Sequence, residues 1–227
     1  MSNGERVVEL TARAMLFDLD GVLVDSTANV ERHWRDWAGR HGLDADALIA
    51  VVHGRRAIDT IREHAPHLDV QAELAAMVAA ETGDTTGITV LPGARELVQS
   101  LPPGSWAIVT SGTHEIAQAR LRVAGLPTPP VLITADQVSR GKPDPEGYLA
   151  AGAALGASPA DCVVVEDAPA GIEAARRAGM RCIALLTTHR ASEVARASAI
   201  ARDPRDIRVR AASAPRSSLT ISVVSGS

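Results

Sequence analysis

Short apolar runs that each stop at polar residues, separated by stretches of helical spacing, constrain this chain more than any other feature. Strands of a parallel sheet read as continuous apolar runs because both faces are covered, and helices carry the crossovers between them. Ala14-Met15-Leu16-Phe17 runs into Asp18, and Trp106-Ala107-Ile108-Val109 into Thr110-Ser111-Gly112. Val131-Leu132-Ile133 runs into Thr134-Ala135-Asp136, and Cys162-Val163-Val164-Val165 into Glu166-Asp167. Cys182-Ile183-Ala184-Leu185-Leu186 is a fifth such run. Helical segments over 114–124, 145–155 and 169–178 end before Gly125, Gly156 and Gly179, where a helix C-terminus favours glycine. The expected fold class is α/β, with a Rossmann-like parallel sheet.

One stretch breaks the alternation. From about Thr27 to Thr86 no strand is evident, while Val30, Trp34, Trp37 and Ala38, and later Leu74, Met77 and Val78, recur at helical spacing. This predicts an all-helical module over 27–86, inserted into a core built from 1–26 and 87–227. Val24 to Ser26 is the expected outgoing hinge and Gly83-Asp84-Thr85-Thr86-Gly87 the return. The length of 227 residues agrees, being above the usual single-domain size of ~100–150 and below two full domains. Trp34 and Trp37 are expected to pack the module against the core, one of them roofing the site. In the tail from about Arg202, Arg202, Arg205, Arg208, Arg210 and Arg216 are interrupted by Asp203 and Asp206, which reads as a solvated surface. Ser218-Leu219-Thr220-Ile221-Ser222-Val223 alternates at period two and predicts an edge strand. No function attaches to it.

Composition removes several function classes. The net charge of −4 gives no electrostatic footprint for nucleic acid, where basic surfaces dominate affinity. No run approaches the ~18–20 apolar residues of a membrane span, and MSNGERVVEL lacks the basic and apolar regions of a signal peptide. Cys162 and Cys182 fall inside apolar runs and read as buried thiols. The expectation is a cytoplasmic protein with no nucleic-acid or membrane partner, a monomer or a weak homo-oligomer. Aromatic residues are only 2%, so the core must be assembled from Ala, Val, Ile and Leu.

The strand ends carry the chemistry, since ligands of open parallel sheets gather beyond the carboxyl ends of the strands. Asp18-Leu19-Asp20 places two carboxylates on one side of an extended chain, which repel unless a cation sits between them or one is protonated. Glu166-Asp167 is a second acidic pair. Hard oxygen ligands in that number suit Mg²⁺. Thr110-Ser111-Gly112-Thr113 offers hydroxyls and main-chain N–H groups before a helix, an anion site. Lys142, in Gly141-Lys142-Pro143-Asp144-Pro145, supplies a fixed ammonium for phosphoryl oxygens. Each has a plainer reading alone: a turn, a helix cap, a solvated lysine. Together, in this order, they describe phosphoryl transfer.

Phe17-Asp18-Leu19-Asp20-Gly21-Val22-Leu23-Val24-Asp25-Ser26 resembles the first motif of the haloacid dehalogenase-like superfamily. Thr110-Ser111-Gly112, Gly141-Lys142-Pro143-Asp144-Pro145 and Val165-Glu166-Asp167-Ala168-Pro169-Ala170-Gly171 resemble its second, third and fourth, and the likeness covers about 14–190. Within it, Val109 to Thr113, Ile133 to Val138 and His53-Gly54-Arg55-Arg56 are most similar to the 2-deoxyglucose-6-phosphate and glycerol-3-phosphate phosphatases. The resemblance implies a helical cap after the first motif, Asp18 as nucleophile and Asp20 as general acid and base. It implies that Ser111, the Gly112 N–H and Lys142 hold phosphoryl oxygens. Mg²⁺ would be held by Asp18, the Asp20 carbonyl and Asp167, with Glu166 as ligand or in support. The haloalkanoate dehalogenases of the superfamily lack an acid at the position of Asp20, so the implied reaction is hydrolysis of a small sugar or polyol phosphate. The alternative is a phosphosugar mutase of the β-phosphoglucomutase type. Specificity is expected in the cap, from His53 and Arg55, with Arg56, Asp59, Asp25 and Glu31 nearby. One of Arg55 and Arg56 is expected to be no more than a solvated helix start.

Overall fold

A computed structural model describes residues 6–211 and 218–225; Arg216 of the tail lies outside them. Six parallel strands form the main sheet. Their ranges are β2 Ala14–Phe17, β5 Trp106–Val109, β6 Leu132–Ile133, β7 Cys162–Glu166, β8 Arg181–Leu185 and β9 Ala199–Ala201, in the spatial order β6-β5-β2-β7-β8-β9. β2 lies at the centre, with β5 on one side and β7 on the other, both parallel to it. The chain moves outward from β2 through β5 to β6, then returns to the other flank at β7. That reversal is the switch point at which open parallel sheets bind ligands.

Alternate strand residues feed two cores. Met15, Phe17, Ile108, Val163, Val165 and Ile183 face one side, against α5 (Ala94–Gln99) and α6 (His114–Ala124). Ala14, Leu16, Ala107, Val109, Val164 and Ala184 face the other, against α7 (Glu146–Ala154) and α8 (Pro169–Arg177). The apolar runs and the three helices therefore stand where the sequence predicts them, and β9 adds a sixth strand. Both cysteines are buried and free.

The tail departs from expectation. β11 (Leu219–Ser225) is the middle strand of a three-stranded antiparallel sheet, between β1 (Arg6–Ala12) and β10 (Ile207–Ala211), not an edge strand. Its alternation has a physical cause: Leu219, Ile221 and Val223 are fully buried and extend the first core.

Four helices fill the stretch without strands: α1 Thr27–His41, α2 Ala45–Val52, α3 Ala57–His64 and α4 Val70–Gly83. Asp44 and Asp69 cap α2 and α4 by accepting main-chain N–H groups, which satisfies donors a helix start leaves open. The helices share their own apolar cluster of Trp34, Trp37, Ala38, Leu48, Val52, Ile61, Ala65 and Met77. The two tryptophans meet edge to face at 5.4 Å inside it, rather than bonding the helices to the sheet. A short ladder of β3 (Val24–Asp25) with β4 (Thr89–Val90) joins the outgoing and return chains. No helix among the described residues is long and apolar enough to cross a membrane.

Candidate active site

Three adjacent strands deliver the chemistry to one spot. Asp18 follows β2, Thr110 to Gly112 follow β5, and Glu166 and Asp167 end β7. Asp18 is buried, with Oδ1 accepting the Leu19 N–H at 2.8 Å and lying 3.0 Å from Lys142 Nζ. Among the described residues Oδ2 has no protein donor. Burial, set against the attraction of Lys142 and joined by repulsion from Glu166 and Asp20, pushes the Asp18 carboxyl up to about 7. Burial also pushes Asp167 well above the usual carboxylate range, with Glu166 and Asp18 adding to it.

Glu166 is held differently. Its Oε1 accepts from Lys142 Nζ at 2.6 Å and from the Tyr148 hydroxyl at 2.7 Å. Its Oε2 accepts the N–H groups of Asp167 and Ala168 at 3.0 and 3.2 Å. Burial alone would raise this carboxyl, but Lys142 and the other donors hold it below its ordinary value. Lys142 is in turn raised: burial opposes its charge, and Asp18 and Glu166 more than restore it.

The donor chemistry fits a hard divalent cation. Asp18, Glu166 and Asp167 each bring a carboxylate oxygen within 4.8 Å of the others, and one lysine balances three buried carboxylates. Asp167 Oδ1 is buried with no hydrogen-bond partner among the described residues, while its Oδ2 accepts the Thr188 hydroxyl. An orphaned, buried acceptor costs free energy unless something completes it, and carboxyls raised by burial and, less, by mutual repulsion are those a cation would return to the ionised form. Gly21 shapes the same spot. Its φ of +75° favours glycine, and a Cβ there would fall on the Asp167 carboxylate.

Asp20 sits beside this cluster, fixed at both oxygens. Ser26 Oγ donates to Oδ1 at 2.6 Å and Arg120 Nη1 to Oδ2 at 2.5 Å. Arg120, from α6, also donates through Nη2 to Glu81 of α4. Neither Arg120 nor Glu81 stands out in the sequence as a site residue. The available signal is the helical stripe: Arg120 lies on the line of Ile116 and Ala124, and Glu81 on that of Met77, all buried.

Ser111 Oγ donates to the Gly54 carbonyl of the helical module at 2.8 Å, and the Gly112 N–H to Thr110 Oγ1 at 3.0 Å. Ser111 is not the cap of α6, since Thr113 takes that place. A cavity of about 410 Å³ joins Asp18, Asp20, Ser111, Gly112 and Asp167 to His53, Arg55 and Trp34 of the helices above. His53 Nε2 is 3.6 Å from Glu31, and burial lowers the imidazole below its ordinary value. Arg55 lines the cavity and pairs with Glu63 at 2.5 Å. Arg56 corrects the expectation of a solvated helix start. It is buried, forks onto Asp59 at 2.7 and 3.0 Å, and donates to the Val138 and Ser139 carbonyls of the core. Asp25 is exposed and accepts the Thr27 N–H at the start of α1, away from the cavity lining.

Carboxylates at the switch point of a doubly wound sheet, covered by an inserted helical module, define a hydrolase of haloacid dehalogenase-like build. The family model for haloacid dehalogenase-like hydrolases matches residues 12–179, and the chain belongs to that family. Hexitol phosphatase A of Escherichia coli (strain K12) is 46% identical over 181 residues, covering 78% of this chain and 84% of the relative. Glycerol-1-phosphate phosphohydrolase 2 of Saccharomyces cerevisiae is 36% identical over 195 residues, covering 80% of this chain and 77% of the relative. A solved hydrolase from Pseudomonas syringae superposes with a TM-score of 0.75 at 30% identity, covering 84% and 94% of the two chains.

Proposed function

We propose that this chain is a metal-dependent phosphatase of small sugar or polyol phosphates, working through a phosphorylated Asp18, with the helical module as its cap. The observation that carries the reading is the pair Asp18 and Asp20 opening on one cavity shared with the cap. Asp18 Oδ2 attacks phosphorus, the bond from phosphorus to the ester oxygen breaks, and Asp20, which enters this step protonated on Oδ1 with the Ser26 hydroxyl turned away and Arg120 still on Oδ2, gives that oxygen its proton. Asp20, now ionised, takes a proton from water, which attacks the aspartyl phosphate. Asp18 is regained and inorganic phosphate departs. Lys142, Ser111 and the Gly112 N–H hold the phosphoryl oxygens, Ser111 and Gly112 exchanging their present partners for them.

By its donors the cation is Mg²⁺, held by the Asp18 and Asp167 carboxylates and the Asp20 carbonyl. When bound, it neutralises charge on the phosphoryl oxygens and on the clustered carboxylates. Glu166, with both oxygens engaged, anchors Lys142 instead of serving as a ligand. His53 and Arg55 reach the leaving group from the cap.

A phosphosugar mutase would need cap cations free to grip a second phosphate. Arg56 is committed to Asp59 and to the Val138 and Ser139 carbonyls of the core and is not free to grip one, which supports the phosphatase. The relatives named as hexitol and glycerol phosphate phosphatases support it too. The test is phosphate release across a panel of sugar and polyol phosphates, with Mg²⁺ and then with EDTA. EDTA-sensitive release from a few related esters is the expected result. Interconversion of phosphate positions without release, activated by a sugar bisphosphate, would overturn it.

A further inference from the structure

Among the described residues, Arg120 is the one cation that ion-pairs with both Asp20 and Glu81. Its side chain is only 6% exposed, and so is that of Glu81. Nη1 reaches Asp20 and Nη2 reaches Glu81, while Nε is buried without a partner among the described residues. A guanidinium is a rigid planar fork, so fixing one prong fixes the other. Asp20 belongs to the core, just after β2; Arg120 to the core helix α6; Glu81 to the cap helix α4. The site thus carries an ion triad that crosses from core to cap, buried at Arg120 and Glu81 and partly open at Asp20, and its core end is the carboxylate assigned to proton transfer.

We infer that Arg120 is the positioning residue for Asp20, and that Glu81 makes that positioning conditional on α4 being seated against the core. Arg120 borders the cavity, but both of its terminal nitrogens are engaged by carboxylates, so it acts through Asp20 by setting where that carboxylate points. With the cap away, Glu81 withdraws its acceptor, the fork loses its second anchor, and Asp20 loses the orientation in which it can protonate a leaving oxygen. Proton transfer is then available only in the covered site, where bulk water is excluded. The inference rests on the phosphatase reading above.

The leaving group separates positioning from mere cap docking. An alkyl ester such as a hexitol phosphate needs a proton on its departing oxygen, whereas p-nitrophenyl phosphate departs as the phenolate without one. For Arg120→Met and Glu81→Ala we expect kcat on the hexitol phosphate to fall by about 100-fold with KM little changed, the mark of a lost general acid rather than of a lost substrate contact, and kcat/KM on the nitrophenyl ester to fall by less than about tenfold. The nitrophenyl reaction should also gain a burst, because hydrolysis of phosphorylated Asp18 still needs Asp20 as base and becomes limiting. Arg120→Lys and Glu81→Gln, which keep a donor and an acceptor, should lose less. Thermal melts establish that each variant is folded, and the Glu81 variants carry the test if Arg120→Met does not fold. Equal losses on the two esters, or none on either, would overturn the inference while leaving the phosphatase reading in place. A wild-type enzyme silent on both esters with Mg²⁺ would remove the two together.

Discussion

Tyr148 places its hydroxyl 2.7 Å from Glu166 Oε1, the same oxygen that holds Lys142. Two main-chain N–H groups occupy the other oxygen, so Glu166 is saturated by four donors. In Glu166→Gln an amide NH₂ must face either the ammonium or those N–H groups. Lys142 then loses its anchor, and turnover should fall by about 10–100-fold, as outlying partners of such sites do. Asp167→Asn should instead raise the half-saturating Mg²⁺ concentration by about tenfold or more, which Glu166→Gln should not. Metal titrations of activity, read beside calorimetric Mg²⁺ binding, decide between the two roles. A shift in metal affinity for Glu166→Gln as large as for Asp167→Asn would make Glu166 a ligand.

Asp18→Asn should abolish turnover and leave the fold intact, because the change is nearly isosteric. It should also stabilise the metal-free protein, increasingly so as pH rises. The sign follows from burial, which raises folded Asp18 to about 7 from an ordinary value of 3.8. Between those values the unfolded chain has released a proton that the native state still holds, so stability falls as pH rises through that window. Asparagine has no proton to lose, and the mutant's advantage in EDTA should grow from about pH 5 to pH 7. Mg²⁺ should shrink that advantage, since the cation favours ionised Asp18. Thermal melts of both proteins, with EDTA and with Mg²⁺, measure it; a margin independent of pH would contradict the account.

Adjacent arginines should fail in different ways. Arg55→Ala leaves the fold alone and removes a charged contact in the cavity, so KM for a sugar phosphate should rise by about tenfold, with little change on p-nitrophenyl phosphate. Arg56→Ala breaks the link from Asp59 to the Val138 and Ser139 carbonyls. That should cost about 2 kcal/mol of stability and lower activity on every substrate alike. Parallel kinetics on the two esters, with a melt of each variant, check both halves.

Much of this was legible because the site is built from strand ends. Ala14–Phe17, Trp106–Val109 and helix His114–Ala124 stand at the boundaries their sequence marks, since a strand covered on both faces must be apolar throughout and must stop where the ligand begins. The three-stranded sheet was less legible. β11 pairs with its chain neighbour β10 on one side, but its other partner, β1, comes from the far end of the chain, and nothing local distinguishes a middle strand from an edge. Arg120 was hidden for a similar reason. A helical arginine reads as solvated, and its two partners lie 100 and 39 residues away. The role of Arg56 was equally beyond reach, because nothing local shows that its side chain turns from the helix start onto the Val138 and Ser139 carbonyls of the core.

Gly171 offers a test of how closely α8 approaches the site. It sits in the first turn of that helix, where any other residue is acceptable to the backbone, yet a Cβ there would land inside the Glu166 carboxylate. The neighbours cannot yield easily, because Glu166 is pinned by Lys142, Tyr148 and two main-chain N–H groups. Gly171→Ala must therefore push α8 outward or expel Glu166 from its donors. Overpacking of this kind costs about 1–3 kcal/mol, and alanine's better helix propensity returns at most about 1 kcal/mol. The expected protein is folded by circular dichroism, melts at lower temperature, and has lost most of its turnover because Lys142 no longer has its anchor. Adding Glu166→Gln to Gly171→Ala should cost little more activity than either change alone, since both act through one lysine. Independent, multiplying losses in the double mutant would show that the glycine serves some other part of the site.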